Sequence, residues 1–429
     1  MNRKVAFKTL GCRLNQYETD SLATDFYKAG YQVVPFSSRA DVYVVNTCTV
    51  TNTSDHKSNN IINQAARREG NHVIVVTGCM ANSRKEFLES RRDITWVIEN
   101  KKKGAIFSLV DAHFRGELLH PADLKQGLFD FTTVENGFHT RSMIKIQDGC
   151  NNHCTFCIVP SVRGRAVSRP ANDILDNVRK VVRLGYKEIV LTGVNISRYR
   201  YENLNFEDLV EKILNLTGDF RLRISSLEPE GFGDKFADLF SHPKMCPHLH
   251  LCLQSGSDRI LLQMRRQYNS GQYLAIIEKL KARYSLFNFT TDIIVGFPGE
   301  TDEDFMQTCN IARDIGFSHI HTFKYSRRNG TRAERMDGQV SEKTRQERSK
   351  IIRKIAEENK IRYRKLFTGR EQKVLIEKVT SGVAKGYGQH YVPIEFRTNS
   401  EKNTFSTVIV SGPDKDRDYI LTGEELVKR

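Results

Sequence analysis

At 429 residues, 39% of them hydrophobic and 27% charged, the chain is too long for one ordinary core and is expected to divide into two or three domains. It has no run of about eighteen apolar residues to span a bilayer, and its start, Met1-Asn2-Arg3-Lys4-Val5-Ala6-Phe7, enters a strand-like segment without the apolar core of a secretory signal, so a cytoplasmic location and no membrane partner are expected. A net charge of +15 points to an anionic partner, nucleic acid being the commonest.

Val5 to Leu10, Val42 to Val45 and Val73 to Val76 are short runs of β-branched and aromatic residues, separated by helix-like stretches that close at Gly30 and Gly70. The alternation predicts a doubly wound parallel sheet within residues 1–115. A fourth apolar run, Ile94 to Ile98, carries the lone Trp96, which reads as core. Between Lys101 and Gly137 the pattern weakens, as in a connection between domains.

A second series of strands is expected near Met143 and at Glu188 to Leu191, Leu222 to Ser225, His248 to Leu253, Thr290 to Val295 and His319 to Tyr325. Helical patterns separate them, at Ala171 to Leu184, Phe206 to Leu216, Leu274 to Arg283 and Asp302 to Ile315. Six βα units over residues 137–366 fit a partial (βα)6 barrel, short of the eight units of a closed one, and ligands belong at the carboxyl ends of its strands.

Ser341 is a suitable N-cap for a long basic helix running toward Leu366. Phe323 to Arg370 holds 16 Lys and Arg against 6 Asp and Glu, whereas Glu371 to Arg429 holds 9 of each sign. From residue 369 onward the pattern turns to β, with Val374 to Ile376, Tyr391 to Phe396, Thr404 to Val410 and Asp418 to Leu421 between Gly, Pro and Asn turns, which predicts a small antiparallel barrel over 369–429.

Nine cysteines in a reducing compartment are better read as ligands or catalysts where they cluster than as disulfides. Cys150-Asn151-Asn152-His153-Cys154-Thr155-Phe156-Cys157 follows the first strand of the second domain. Three thiolates so spaced reach three corners of a cubane cluster and leave the fourth iron open for S-adenosylmethionine. Zinc prefers four closed ligands, and the adjacency of His153 to Cys154 makes joint tetrahedral ligation awkward.

Cys12, Cys48 and Cys79 each follow one of the three N-terminal strands. In a parallel sheet all three emerge at one edge, where such sheets bind ligands, and they can hold a second cluster. The alternative is that they are ordinary buried residues, but three at equivalent strand ends favour the cluster. Cys246, Cys252 and Cys309 show no such arrangement.

With both trios in this order, the chain resembles the radical-SAM methylthiotransferases over nearly its whole length, including a C-terminal barrel similar to the TRAM domain of RNA-modifying enzymes. The resemblance implies two 4Fe-4S clusters and S-adenosylmethionine as cofactors. Further family-like stretches are Leu191-Thr192-Gly193-Val194-Asn195, Arg223-Ile224-Ser225-Ser226-Leu227-Glu228-Pro229, Leu253-Gln254-Ser255-Gly256-Ser257, Met264-Arg265-Arg266-Gln267-Tyr268 and Ile294-Val295-Gly296-Phe297-Pro298-Gly299-Glu300. They imply cofactor contacts at Thr192, Gly193, Asn195, Ser226, Glu228, Gln254, Arg266 and Phe297, with Phe156 inside the cysteine loop.

Three branches of that family act on isopentenyl-adenosine of transfer RNA, on threonylcarbamoyl-adenosine beside its anticodon, and on a ribosomal-protein aspartate. Gly11-Cys12-Arg13-Leu14-Asn15-Gln16-Tyr17-Glu18 looks most like the threonylcarbamoyl branch, which usually has Lys where this chain has Arg13. Arg163-Gly164-Arg165 resembles it too, and two guanidiniums suit a base carrying a carboxylate. The implied reaction uses one cofactor molecule to methylate a sulfur at the N-terminal cluster and a second as the radical source that removes hydrogen from carbon 2 of the adenine.

Expected RNA contacts are Arg13, Arg163, Arg165, Arg353, Lys354, Arg362, Arg364 and Lys385, with Tyr387 and His390. The expected partners are transfer RNA and an electron donor such as flavodoxin or ferredoxin, the enzyme acting as a monomer. The basic stretch argues against a basic protein substrate, and a non-enzymatic iron-sulfur RNA-binding or redox-sensing protein would not need the strand-end motifs.

Overall fold

A computed structural model describes residues 3–135 and 140–426; Gly137, the expected end of the interdomain connection, lies outside them. The N-terminal sheet is parallel throughout, in the order Gln32–Val34, Lys4–Thr9, Val42–Thr47, Val73–Gly78, Trp96–Ile98. Alternation along Val42–Val45 explains the two layers that cover it: Val42 and Val44 pack with Phe26, Ile106 and Leu109, while Tyr43 and Val45 pack with Ile62 and Met80 on the other face. The weak pattern after Lys101 conceals a helix, Ile106–Arg115, docked on the first of these faces. Its register was obscured by the run Asn100–Ala105, which carries three consecutive lysines, one of them buried.

The central strands run parallel in two sheets, Arg221–Ile224 beside Glu188–Thr192 and Arg141–Lys145, and Ser226–Leu227 beside His248–Leu251, Asn288–Val295 and His319–Lys324. The run Arg221–Leu227 belongs to both sheets and joins them. Their outer faces bury Ile144, Ile189, Leu191, Leu222, Ile224 and Leu249 against the helices. Inner positions are polar: Arg221-Leu222-Arg223-Ile224, His248-Leu249-His250-Leu251 and His319-Ile320-His321 alternate strictly, unlike the continuous apolar runs of parallel strands buried on both faces.

The Ser341 side chain accepts from the Thr344 amide and caps the helix Glu342–Lys365 as expected. One face of that helix is core: Ile352 and Ile355 join the central cluster, and Arg348 is buried against Glu300 at 2.6 Å and Asp302 at 2.7 Å. Tyr363 and Phe367 then enter the core of the C-terminal barrel.

That barrel is closed, with five strands. It departs from the expected all-antiparallel form, because Pro393–Arg397 and Ile420–Glu425 pair in parallel. It also contains a strand absent from the sequence reading, Val383–Tyr387, whose inward residues Ala384 and Gly386 are too small to register as an apolar run. Among the described residues no helix is long and apolar enough to cross a membrane.

Candidate active site

Cys12 is the N-cap of helix Arg13–Lys28, Cys48 follows strand Val42–Thr47, and Cys79 opens the helix after Val73–Gly78, so the parallel sheet brings all three to its carboxyl edge. Two glycines make the approach possible. Gly11 and Gly78 have φ of +94° and +95°, and a Cβ on them would lie 2.9 Å from Cys48 Cβ and 2.3 Å from the Thr47 carbonyl respectively. Burial raises the Cys48 and Cys79 thiols, and neighbouring sulfurs raise them further, Cys79 and Cys12 acting on Cys48 and Cys12 on Cys79.

In the second loop, the Asn152 amide donates to Cys150 Sγ at 3.3 Å, the Val159 amide to Cys157 Sγ at 3.4 Å, and Arg266 Nη1 to Cys154 Sγ at 3.1 Å. Burial pushes the Cys157 thiol up to about 12, with Cys154 adding to it, and raises Cys154 against the pull of Arg266. Such thiols are poor nucleophiles at neutral pH. All the cysteines are free. A bound cation deprotonates coordinating thiols outright, and N–H groups directed at sulfur are a known means of tuning cluster potentials, so both sets fit iron-sulfur ligation.

The strand-end residues gather around this loop. Gln147 Oε1 accepts from the Val194 and Asn195 amides at 2.9 and 2.8 Å and fixes the turn containing Thr192 and Gly193. Asn195 Oδ1 accepts from Ser197, and its buried Nδ2 has no partner among the described residues, an open donor for a ligand oxygen. Gln254 sits at φ +63°, held by backbone bonds to Asp292 and Ile294. Ser226 is exposed, whereas Glu228 and Arg266 form an ion pair with each other. The Phe297 side chain is wholly buried, edge-on to Phe156 and Tyr325, so its turn offers a ligand backbone rather than ring.

Between the two cysteine sites lies an ionic cluster that the sequence reading missed. Glu18 of the N-terminal domain accepts from Lys103, from Lys145 at 2.9 Å and from Arg163 at 3.1 Å, and its side chain is 0% exposed. Arg163 also reaches both oxygens of Asp148 at 3.0 Å and Asn15 Oδ1 at 2.6 Å. Its charge further acts on Cys79, lowering that thiol against burial. The guanidinium assigned from sequence to the RNA is therefore enclosed, and it ties the edge bearing Cys79 to the segment leading into Cys150. Arg165, two residues on, is exposed.

A cavity of about 1190 Å³ connects the N-terminal site with the strand ends: Cys12 and Cys48 line it together with Thr192, Gly193 and Ser226, and Arg223 and Tyr391 line it as well. A recess of about 280 Å³ shares Arg13, His250, His321 and Tyr391 with it and adds His248, His319 and Arg364. Tyr391 comes from the C-terminal barrel and accepts from Arg141 Nη1 at 2.9 Å.

Comparison with known proteins agrees with this arrangement. Residues 144–312 match the Radical SAM superfamily and residues 4–98 match Uncharacterized protein family UPF0004. The chain is 37% identical, over 92% of both lengths, to the threonylcarbamoyladenosine tRNA methylthiotransferase MtaB of Thermotoga maritima. It is 35% identical to the Bacillus subtilis protein of the same name, over 92% of this chain and 90% of that one. The chain belongs to the radical-SAM tRNA methylthiotransferases. A tRNA-2-methylthio-N(6)-dimethylallyladenosine synthase of Syntrophus aciditrophicus is 34% identical over 89% of this chain and 86% of its own. In fold, the enzyme resembles the radical S-adenosylmethionine methyltransferase TsrM of Kitasatospora setae, with a TM-score of 0.53 at 14% identity, covering 76% of this chain and 72% of that one.

The methylthiotransferase distributes its basic residues less freely than their number suggests. Arg328 is buried against Asp55 at 2.7 Å and Thr49 Oγ1 at 2.7 Å, joining the segment after strand His319–Lys324 to the helix Asn52–Ala66. Arg362 donates to the Arg313 carbonyl and Asn359, Arg364 to the Asp418 carbonyl, and Lys385 pairs with Glu395 at 3.1 Å. Arg353 and Lys354 are exposed, with no hydrogen bond or ion pair among the described residues, and Arg353 lines the large cavity. Tyr387 stacks on Tyr391, and His390 packs on Phe367 beside Gln372, so both turn inward rather than toward solvent.

Proposed function

We propose that the enzyme installs a methylthio group on carbon 2 of N6-threonylcarbamoyladenosine at position 37 of transfer RNA, consuming two S-adenosylmethionine molecules. One 4Fe-4S cluster is assigned to Cys12, Cys48 and Cys79, and one to Cys150, Cys154 and Cys157. In this reading residues 1–115 carry the first, residues 137–366 form a partial (βα)6 radical-SAM barrel, and residues 369–429 form a TRAM-like RNA-binding barrel. A flavodoxin or ferredoxin supplies electrons, and the enzyme works as a cytoplasmic monomer.

The observation that carries the reading is the single cavity lined by two N-terminal cysteines and by the strand-end turn at Thr192 and Gly193. When bound, the clusters and cofactor supply one-electron chemistry able to replace the hydrogen of an adenine carbon that acid–base catalysis cannot activate. The protein's part is positioning. Arg163 fixes the two cysteine sites relative to each other, Gln147 holds the turn at Asn195, and exposed Arg353 and Lys354 stand where a phosphate backbone would approach. The target base must leave its stack to enter the cavity.

Nucleoside analysis of transfer RNA from a deletion strain tests this. The methylthio form of threonylcarbamoyladenosine should disappear while the unmodified form accumulates, with recovery on complementation. Loss of methylthio-isopentenyladenosine instead would assign the enzyme to the other transfer RNA branch.

A further inference from the structure

The inside of the central barrel is cationic beyond what its own acids balance. Arg13, Arg141, Arg221 and Arg223 meet there with Glu188 and Glu377. Glu188 takes two bonds from Arg221, at 2.8 and 2.6 Å, and one from Arg223 Nε at 3.0 Å, while Glu377 pairs with Arg141. A third acid, Asp292, lines the large cavity and is engaged by His250 Nε2 at 3.2 Å.

Two guanidiniums remain under-satisfied. Arg223 is 1% exposed, lies 3.9 Å over the Tyr391 ring, and its Nη1 has no acceptor among the described residues. Arg13 lines both the cavity and the recess and makes no hydrogen bond or ion pair among the described residues. Its guanidinium lies 6.0 Å over the Tyr391 ring, with Arg223 and Arg141 as neighbouring like charges. The same field acts on Tyr391, where burial pushes the phenol up but Arg223, Arg141 and Arg13 pull it below its ordinary value. Burial lowers His248 and His319 and takes His321 to about 4, so these are neutral hydrogen-bonding groups. A site so built lacks one anion, and its histidines suit a polar group attached to that anion.

Resting on the substrate reading above, we infer that Arg13 and Arg223 bind the carboxylate of the threonyl group on N6 of the target adenosine, with the histidine recess receiving the rest of that side chain. This makes Arg13 and Arg223, rather than Arg163, the residues that set substrate specificity. An isopentenyl group in the same place would leave Arg13 and the Arg223 Nη1 without an acceptor, the kind of penalty by which polar sites reject apolar analogues.

The test uses anticodon stem-loops carrying threonylcarbamoyladenosine as the free acid or as its methyl ester, bound to reconstituted holoenzyme and followed by fluorescence anisotropy, with initial rates measured in parallel. The wild type should prefer the acid by about 10- to 100-fold, the worth of charge-assisted hydrogen bonds. Arg13→Gln should bring the acid to the level of the ester without changing the ester. Arg223→Lys, which keeps the charge and loses the planar fork, should reduce the preference while iron content and cofactor cleavage stay unchanged.

Equal binding of acid and ester by an enzyme that still modifies the acid would overturn this inference alone. So would an Arg13→Gln variant weakened equally toward both, which would mean that the arginine serves an RNA phosphate or the cofactor. A wild type that modifies only isopentenyl stem-loops would overturn the substrate reading and the inference with it.

Discussion

Replacing Glu18 by Gln keeps the side chain's shape and removes one charge from a site where, among the described residues, Lys103, Lys145 and Arg163 form ion pairs with Glu18 and Asp148. The wild-type cluster carries one surplus positive charge; the variant carries two, all of them out of water. Removing one partner of a buried ion pair typically costs about 3–5 kcal/mol, because the remaining charges stay desolvated. Burial alone would raise Glu18, but Arg163, Lys103 and Lys145 outweigh it and hold the carboxyl well below its usual range. Its stabilising contribution is therefore complete above the unfolded-state value near 4.5 and is lost only as pH falls through the lower folded-state value. The difference in urea midpoint between wild type and Glu18→Gln should be large and flat from about pH 6 to 8. The double variant Glu18→Gln, Lys103→Met should recover part of the loss, as coupled neighbours do. A single variant within about 1 kcal/mol of wild type, the range of exposed pairs, would refute the buried-cluster argument.

Anaerobic reconstitution should give about eight iron and eight sulfide per chain, and Cys150, Cys154 and Cys157 replaced together by Ala should leave about half; zinc in their place would sink the assignment. Replacing Cys12, Cys48 and Cys79 should leave reductive cleavage of S-adenosylmethionine intact while methylthiolation of transfer RNA is lost, as followed by product analysis of both reactions. For RNA binding, Arg353→Gln with Lys354→Gln should lower the slope of log affinity against log salt by about 1.5, at roughly 0.7–0.9 per phosphate contact. Arg362→Gln with Arg364→Gln should change it less, since both arginines are already engaged within the protein.

Much of the backbone was legible because parallel strands covered on both faces must be apolar. The runs at Val42, Val73 and Glu188 lie on observed strands, and the helix Asp302–Ile315 was expected at its observed limits. Strand Val383–Tyr387 escaped because it packs through small residues: a Cβ on Gly386 would lie 2.1 Å from the Leu375 carbonyl. The parallel pairing in the C-terminal barrel escaped because register between distant strands leaves no local trace. The gathering of Cys12, Cys48 and Cys79 at one sheet edge was legible from the strands they follow, whereas the burial of Arg163 depends on Glu18, a residue 145 positions away. One signal was present and unread: Arg, His and His alternating with Leu and Ile along strands otherwise destined for a core.

That alternation links the fold to its chemistry. In parallel central sheets whose outer face is held by Leu222, Ile224, Leu249 and Leu251, the inner face is free of the task of stability. Here it carries arginines and histidines, some of whose donors are unmatched among the described residues, as at Arg223 Nη1. A desolvated guanidinium nitrogen without an acceptor is costly, so its presence in a folded enzyme points to a ligand that completes it. The position of Tyr391 fits this view. It reaches the central strands from the C-terminal barrel, accepts from Arg141 and lies over Arg223, so the element expected to grip RNA also completes one wall of the cavity where the base would enter. On the proposed reading Tyr391 would link binding of the transfer RNA to selection of the modified base, and a change in the docking of the C-terminal barrel should then alter substrate choice as well as affinity.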